Sequence, residues 1–184
     1  SRAKGCKIWD LDGNEFIDMS MMGIGTNILG YGNRKVDNAV KKKLSFGNMS
    51  TLNSPEEVEL AKKLINLHPW ADMCRFTRSG GEANAVAIRI ARSFSKKQKI
   101  AICGYHGWHD WYIAANLSNK NRLNNHLITG LSPIGVAKNL KNTTFTFQYN
   151  NLDALLKLLQ KEKEIGIIKM EVSRNFSPKN NFLK

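Results

Sequence analysis

The chain has 184 residues, 42% apolar and 23% charged, and a formal net charge of +13. That length is about one domain's worth, enough to bury a core without disulfide staples, and the composition excludes a disordered tail. No apolar run is as long as a membrane span and no leader-like stretch opens the chain, so no membrane partner is expected.

The charge surplus invites a nucleic-acid reading. Yet twenty of the 28 basic residues are lysines, scattered in short clusters such as Lys41-Lys42-Lys43 with no arginine-rich stripe. Together with abundant Asn this fits a codon bias, so no nucleic-acid partner is expected; an anionic small ligand gains from the same field. Cys6, Cys74 and Cys103 are odd in number and far apart. That argues against a disulfide framework or a zinc ribbon and fits a reducing cytoplasm.

Ile8 to Leu11 and Glu15 to Asp18 flank Asp12-Gly13-Asn14, a hairpin signal. A glycine-rich, loop-like passage follows. Arg34 to Leu44 carries Val36, Ala39, Val40 and Leu44 at helical spacing. Ser54-Pro55-Glu56-Glu57 starts a second helix, with Ser54 and Glu57 as a capping box and Pro55 in the first turn. The break near Asn48 to Asn53 divides the expected domains, an N-terminal segment at 1–50 and a larger domain at 51–184.

Beyond it strands and helices alternate. Strands are expected at Cys74 to Thr77, Lys99 to Cys103 and Ile165 to Glu171, and helices at Glu82 to Phe94 and Asp153 to Leu159. This alternation predicts an α/β fold with a mostly parallel sheet and covering helices. Leu117 to Thr146 lacks periodicity and reads as a long surface excursion. The chain stops soon after a strand with no closing helix, so the larger domain is expected to be incomplete.

Three places carry candidate chemistry. Arg78-Ser79-Gly80-Gly81-Glu82 lies between a strand and a helix. Glycines there admit close backbone approach, and the N–H groups of the first helical turn favour an anion. The pattern is neither a Walker loop nor G-x-G-x-x-G, so ATP and NAD are poorly supported. The second place is the run Gly104 to Tyr112, after the next strand, where Tyr105 can face a ligand at the sheet's carboxyl edge. Trp108 and Trp111 read as core or subunit-interface packing. His106, His109 and Asp110 lack a second ligand pair, so no metal is expected. Glu171, at the end of an apolar strand, can reach a site or pair with Arg174.

These segments together resemble the class III aminotransferases. The resemblance rests on Trp9 to Asp18, Leu29-Gly30-Tyr31-Gly32, Ser54 to Ala61, Arg75 to Asn84, Ala87 to Arg92 and Gly104 to Asp110, in that order. It is nearest to the branch of glutamate-1-semialdehyde 2,1-aminomutase. It implies a fold type I enzyme that uses pyridoxal 5'-phosphate, works on a small-molecule amino donor and acceptor, and forms a homodimer. The resemblance assigns Gly80 and Gly81, with Ser79 beside them, to the cofactor phosphate. It places Tyr105 on the pyridine face and Glu171 in the acidic position of a Glu-Pro motif; His106, next to Tyr105, is a further cofactor-binding candidate that can also simply pack or hydrogen-bond locally. Two departures stand out: Val172 replaces the proline, and Gly81 stands where relatives often have Thr or Ala. None of the twenty lysines matches the family's Schiff-base lysine, which implies a front fragment holding half a site, inactive alone. The competing expectation is a basic, non-catalytic α/β module that binds RNA or a phosphate ligand.

Overall fold

A computed structural model describes residues 1–47, 50–126, 128–173 and 176–183. By contacts the chain divides into two units, Ser1–Met73 and Cys74–Lys184.

In the first unit, β1 (Arg2–Lys4), β2 (Lys7–Trp9) and β3 (Glu15–Ile17) form an antiparallel sheet in chain order. Its β2–β3 turn is tied by Asp10, whose Oδ1 accepts the N–H groups of Asp12 and Asn14 at 3.0 and 2.9 Å. These bonds hold the Asp10 carboxyl below the usual carboxylate range, the Asn14 side chain contributing most. Helix α1 (Arg34–Leu44) is capped by the Asn33 side chain and ends in Lys41, Lys42 and Lys43, which suit the negative end of its dipole. Helix α2 (Pro55–Leu67) starts at Ser54 as expected, but the Ser54 side chain makes no cap hydrogen bond. Glu56 pairs instead with Lys43. Among the described residues of this unit none is buried, and the large apolar side chains Leu11, Met19, Ile24 and Trp70 are exposed.

The second unit holds the core. Helix α3 (Gly80–Ser95) precedes β4 (Lys99–Cys103), which pairs in parallel with β5 (Thr144–Thr146) on one side and β6 (Ile165–Met170) on the other. The short α4 (Asp110–Ile113) runs on into a 3-10 turn at Ala114–Leu117, and α5 (Leu152–Lys161) connects β5 to β6. Strand β4 is central and buried on both faces, as its unbroken Ile-Ala-Ile-Cys run requires. Ile100 and Ile102 point into a cluster with Ile88, Trp111, Tyr112, Leu123 and Ile167. Ala101 and Cys103 point the other way, to Phe145, Phe147, Leu155 and Ile165. Among the described residues no helix is long and apolar enough to cross a membrane.

Two expectations are corrected. Cys74 to Thr77 forms no strand, because no described strand lies beside it to complete a ladder. The passage from Leu117 to Thr146 is not a surface excursion. Leu123, Leu131 and Val136 are buried, and the passage ends in β5. The buried Asn116 amide holds it in place. Its Nδ2 donates to the Leu131 carbonyl at 2.7 Å, and its Oδ1 accepts from Leu123 N–H at 3.0 Å.

Candidate functional site

Helix α3 begins two residues earlier than its apolar pattern suggests, because Ser79 caps it. The Ser79 Oγ accepts the Glu82 N–H at 3.2 Å, and the Ser79 carbonyl accepts the Ala83 N–H at 3.0 Å. Glu82 reaches back, its carboxylate accepting the Arg78 N–H at 2.9 Å and facing the Arg78 guanidinium at 3.3 Å. This is a capping box displaced by one residue. The Arg78 N–H, with the Arg78 charge behind it, holds the Glu82 carboxyl below its ordinary range. Among the described residues no protein acceptor meets the N–H groups of Gly80 and Gly81. Two donors and the Ser79 hydroxyl proton therefore stand at the positive end of a sixteen-residue helix.

The loop after β4 lies on this turn. Gly107 has φ +98°, and a Cβ there would stand 3.1 Å from the Gly81 Cα. Only a glycine lets the two backbones come this close. Asn84 of α3 fastens the loop, its Nδ2 donating to the His106 carbonyl at 3.1 Å. His106 itself is 3% exposed and stacks near Trp111 at 6.5 Å between centroids. Its Nε2 lies 2.9 Å from the Cys103 carbonyl, a pure acceptor, so that nitrogen carries the proton. Burial, with the Lys169 charge adding, pushes His106 down to about 4. The half-buried Tyr105 ring meets Tyr112 edge-on at 5.8 Å, and the Tyr112 hydroxyl donates to the Gly104 carbonyl at 3.1 Å. Burial raises the Tyr105 phenol. Trp111 is a core residue, whereas Trp108 is 64% exposed and is not.

Glu171 follows β6. Its N–H donates to the Cys103 carbonyl at 3.2 Å, which continues the β4–β6 pairing by one step. Its side chain lies against Gly104. Pairing with Arg174 falls outside the described residues. Glu171 lines a pocket of about 530 Å³ with Gly104, His126, Gln148, Tyr149 and Asn150. Ser79, Gly80, Gly81, Tyr105 and His106 do not line it. The structure thus joins Ser79, Gly80 and Gly81 to the Tyr105–Gly107 loop through direct backbone packing. Glu171 joins them through Gly104, on the pocket side.

Three participants were not marked as site residues by the sequence, although Asn84 and Gly104 fall within segments that carry the resemblance. Asn84 is one polar residue on an amphipathic helix. Gly104 reads only as a glycine after a strand. His126 sits in the non-periodic passage, yet it is 7% exposed and its Nδ1 accepts the Gly104 N–H at 2.9 Å.

The start of α3 meets the aromatic loop after β4 beyond the carboxyl end of the sheet's central strand, the place where open α/β folds hold ligands. The family follows from comparison: residues 1–167 match the family described as Aminotransferase class-III, and the chain belongs to it. It is 37% identical to a glutamate-1-semialdehyde 2,1-aminomutase from Nitrosopumilus maritimus, covering 99% of this chain and 43% of the relative. It is 34% identical to a 3-aminobutyryl-CoA aminotransferase from Cloacimonas acidaminovorans, covering 90% of this chain and 36% of that one. Among solved structures, an omega-transaminase from Sphaerobacter thermophilus superposes with a TM-score of 0.83 at 24% identity, covering 100% of this chain and 43% of that one. The fold is that of the fold type I pyridoxal-phosphate transaminases, in part, and the cofactor of the family is pyridoxal 5'-phosphate. The chain spans less than half the length of these relatives.

Proposed function

We propose that these residues supply the phosphate and ring-face half of a pyridoxal-phosphate site, in an aminotransferase or aminomutase that moves an amino group between carbons of small amino and keto compounds. The observation that carries this is the pair of N–H groups at Gly80 and Gly81 that meet no protein acceptor among the described residues, with the Tyr105 loop packed on the same turn. The donor set fits a phosphate. Gly80 and Gly81 offer backbone N–H groups, Ser79 offers a hydroxyl, and the helix dipole adds positive potential. Tyr105 offers an aromatic face for the pyridine ring. His106 holds the loop from below through Cys103, and Glu171 fixes the turn at Gly104 from the pocket side. When bound, the cofactor supplies a conjugated, electron-withdrawing ring to the carbon that loses or gains the amino group.

The remaining half of the site, the Schiff-base lysine and the acid that pairs with the ring nitrogen, is proposed to come from outside residues 1–184. In the same reading residues 1–50 belong to the small domain, residues 51–184 to the large domain, and the whole protein is a homodimer. Three free cysteines suit a reducing cytoplasm. Gly80→Asp in the full-length protein tests the phosphate assignment by placing a carboxylate among the donors. Cofactor affinity is expected to fall more than about tenfold while the melting temperature of the apo form changes little. Normal cofactor content in a folded Gly80→Asp protein refutes the assignment.

A further inference from the structure

We propose that His109 stands in for the missing side chain of Gly81 and donates to the phosphate held at the start of α3. This rests on the reading of that turn as the cofactor's phosphate site. A Cβ at position 81 would lie 2.8 Å from His109 Cδ2 and 2.9 Å from His109 Nε2, closer than real Cβ atoms come to such neighbours. A side chain at 81 and the imidazole in this position exclude each other. The Ser79 Oγ lies 3.9 Å from the same point, so hydroxyl and imidazole flank one spot on the first turn.

The approach of His109 is built into the backbone. Its carbonyl accepts the N–H groups of Tyr112 and Ile113 at 2.9 and 3.2 Å, and the α4 residues Trp111, Tyr112 and Ile113 are buried. The histidine thus stands at the start of an anchored helix while its side chain remains exposed. The contrast with His106 is chemical. His106 is enclosed and spends its N–H on the Cys103 carbonyl. The His109 ring makes no side-chain hydrogen bond among the described residues, and its Nε2 edge faces the turn that carries the Gly80 and Gly81 donors. With its proton on Nε2, His109 adds a side-chain donor beside Ser79, where Gly81 has none to give.

The test titrates pyridoxal 5'-phosphate and, separately, pyridoxal into the full-length apo protein, followed by tryptophan fluorescence. His109→Ala is expected to weaken pyridoxal phosphate about tenfold, the scale of one charge-assisted hydrogen bond, and to leave pyridoxal unchanged. His109→Gln, which keeps an N–H donor, is expected to recover most of the loss. Gly81→Thr alone should weaken binding by displacing the ring, and adding His109→Ala should restore affinity by making room for the hydroxyl. Unchanged affinity in His109→Ala, or equal losses for phosphate and non-phosphate ligands, overturns the proposal. If His109→Ala lowers the apo melting temperature, the comparison of Gln with wild type decides alone. A Gly80→Asp protein that still binds pyridoxal phosphate refutes the underlying site instead.

Discussion

The Glu171 carboxylate lies directly against Gly104. A Cβ on Gly104 would come within 2.6 Å of Glu171 Oε2, 2.8 Å of its Cγ and 2.9 Å of its Cδ. Gly104 also has φ +99°, a backbone that side-chain-bearing residues rarely adopt. The turn that leaves β4 is therefore glycine for two reasons, its own dihedral and the acid resting on it. Gly104→Ala is expected to cost about 1–3 kcal/mol, from backbone strain and from pushing Glu171 aside. Urea denaturation of the variant checks this. Wild-type stability would mean that Glu171 swings away freely and does not fix the turn.

Most of the second unit was legible from pattern. The apolar run of β4, the helical spacing of α3 and the Ser79-Gly80-Gly81 turn each give their element away locally. What stayed hidden was held by single polar contacts. Asn116 pins the passage around Leu123 and Leu131 through its amide, and an amide in a non-periodic stretch has no spacing to betray it. The contact of Gly107 with Gly81 and that of His109 with Gly81 depend on how two loops meet in space. Cys74 to Thr77 shows the opposite failure. Its residues favour a strand, but a strand exists only through a neighbour.

His106 makes stability depend on pH in a definite direction. Its folded value is about 4 against an ordinary 6.5, because burial and the nearby Lys169 disfavour the cation. Below pH 6.5 the unfolded chain takes up a proton that the folded chain refuses until about pH 4. The stabilisation is complete above pH 6.5 and is lost as pH falls through that window, on the order of 3 kcal/mol. Burial lowers His126 as well, so the two act in the same direction. Melting curves between pH 7 and about pH 4.5 should show a steeper fall for wild type than for His106→Gln. Equal slopes would mean that the imidazole is charged, or free to become so, in the folded state.

The 184-residue chain is expected to associate when produced by itself. Among the described residues, strands β5 and β6 are each paired on one side only, and β6 carries Ile168 at 49% exposure. Helix α3 exposes Ile90 at 61% and Phe94 at 90%, and Trp70 of the first unit is 83% exposed. Open strand edges and broad apolar surface both recruit further chains. Light scattering after size-exclusion chromatography across a concentration series measures this directly. A chain that stays monomeric at high concentration contradicts the prediction.

Tyr105 decides whether the loop after β4 is a ring platform or simply packing. Its edge-on contact with Tyr112 places it beside the core, and Phe would keep that contact while removing only the hydroxyl. Tyr105→Phe should therefore change both stability and cofactor affinity little. Tyr105→Ala removes the aromatic face and should weaken pyridoxal phosphate binding in the full-length protein by about 1–3 kcal/mol, by analogy with bases stacked on aromatic side chains. It should also slow turnover, because a loosely held ring misaligns the bond to be broken. If packing is its whole role, Ala lowers the melting temperature of apo and cofactor-loaded protein alike. Cofactor titrations of the apo Phe and Ala variants, run beside their apo melting curves, separate the two. Equal affinity in both variants with a destabilised apo Ala protein would leave Tyr105 as a packing residue and remove it from the site.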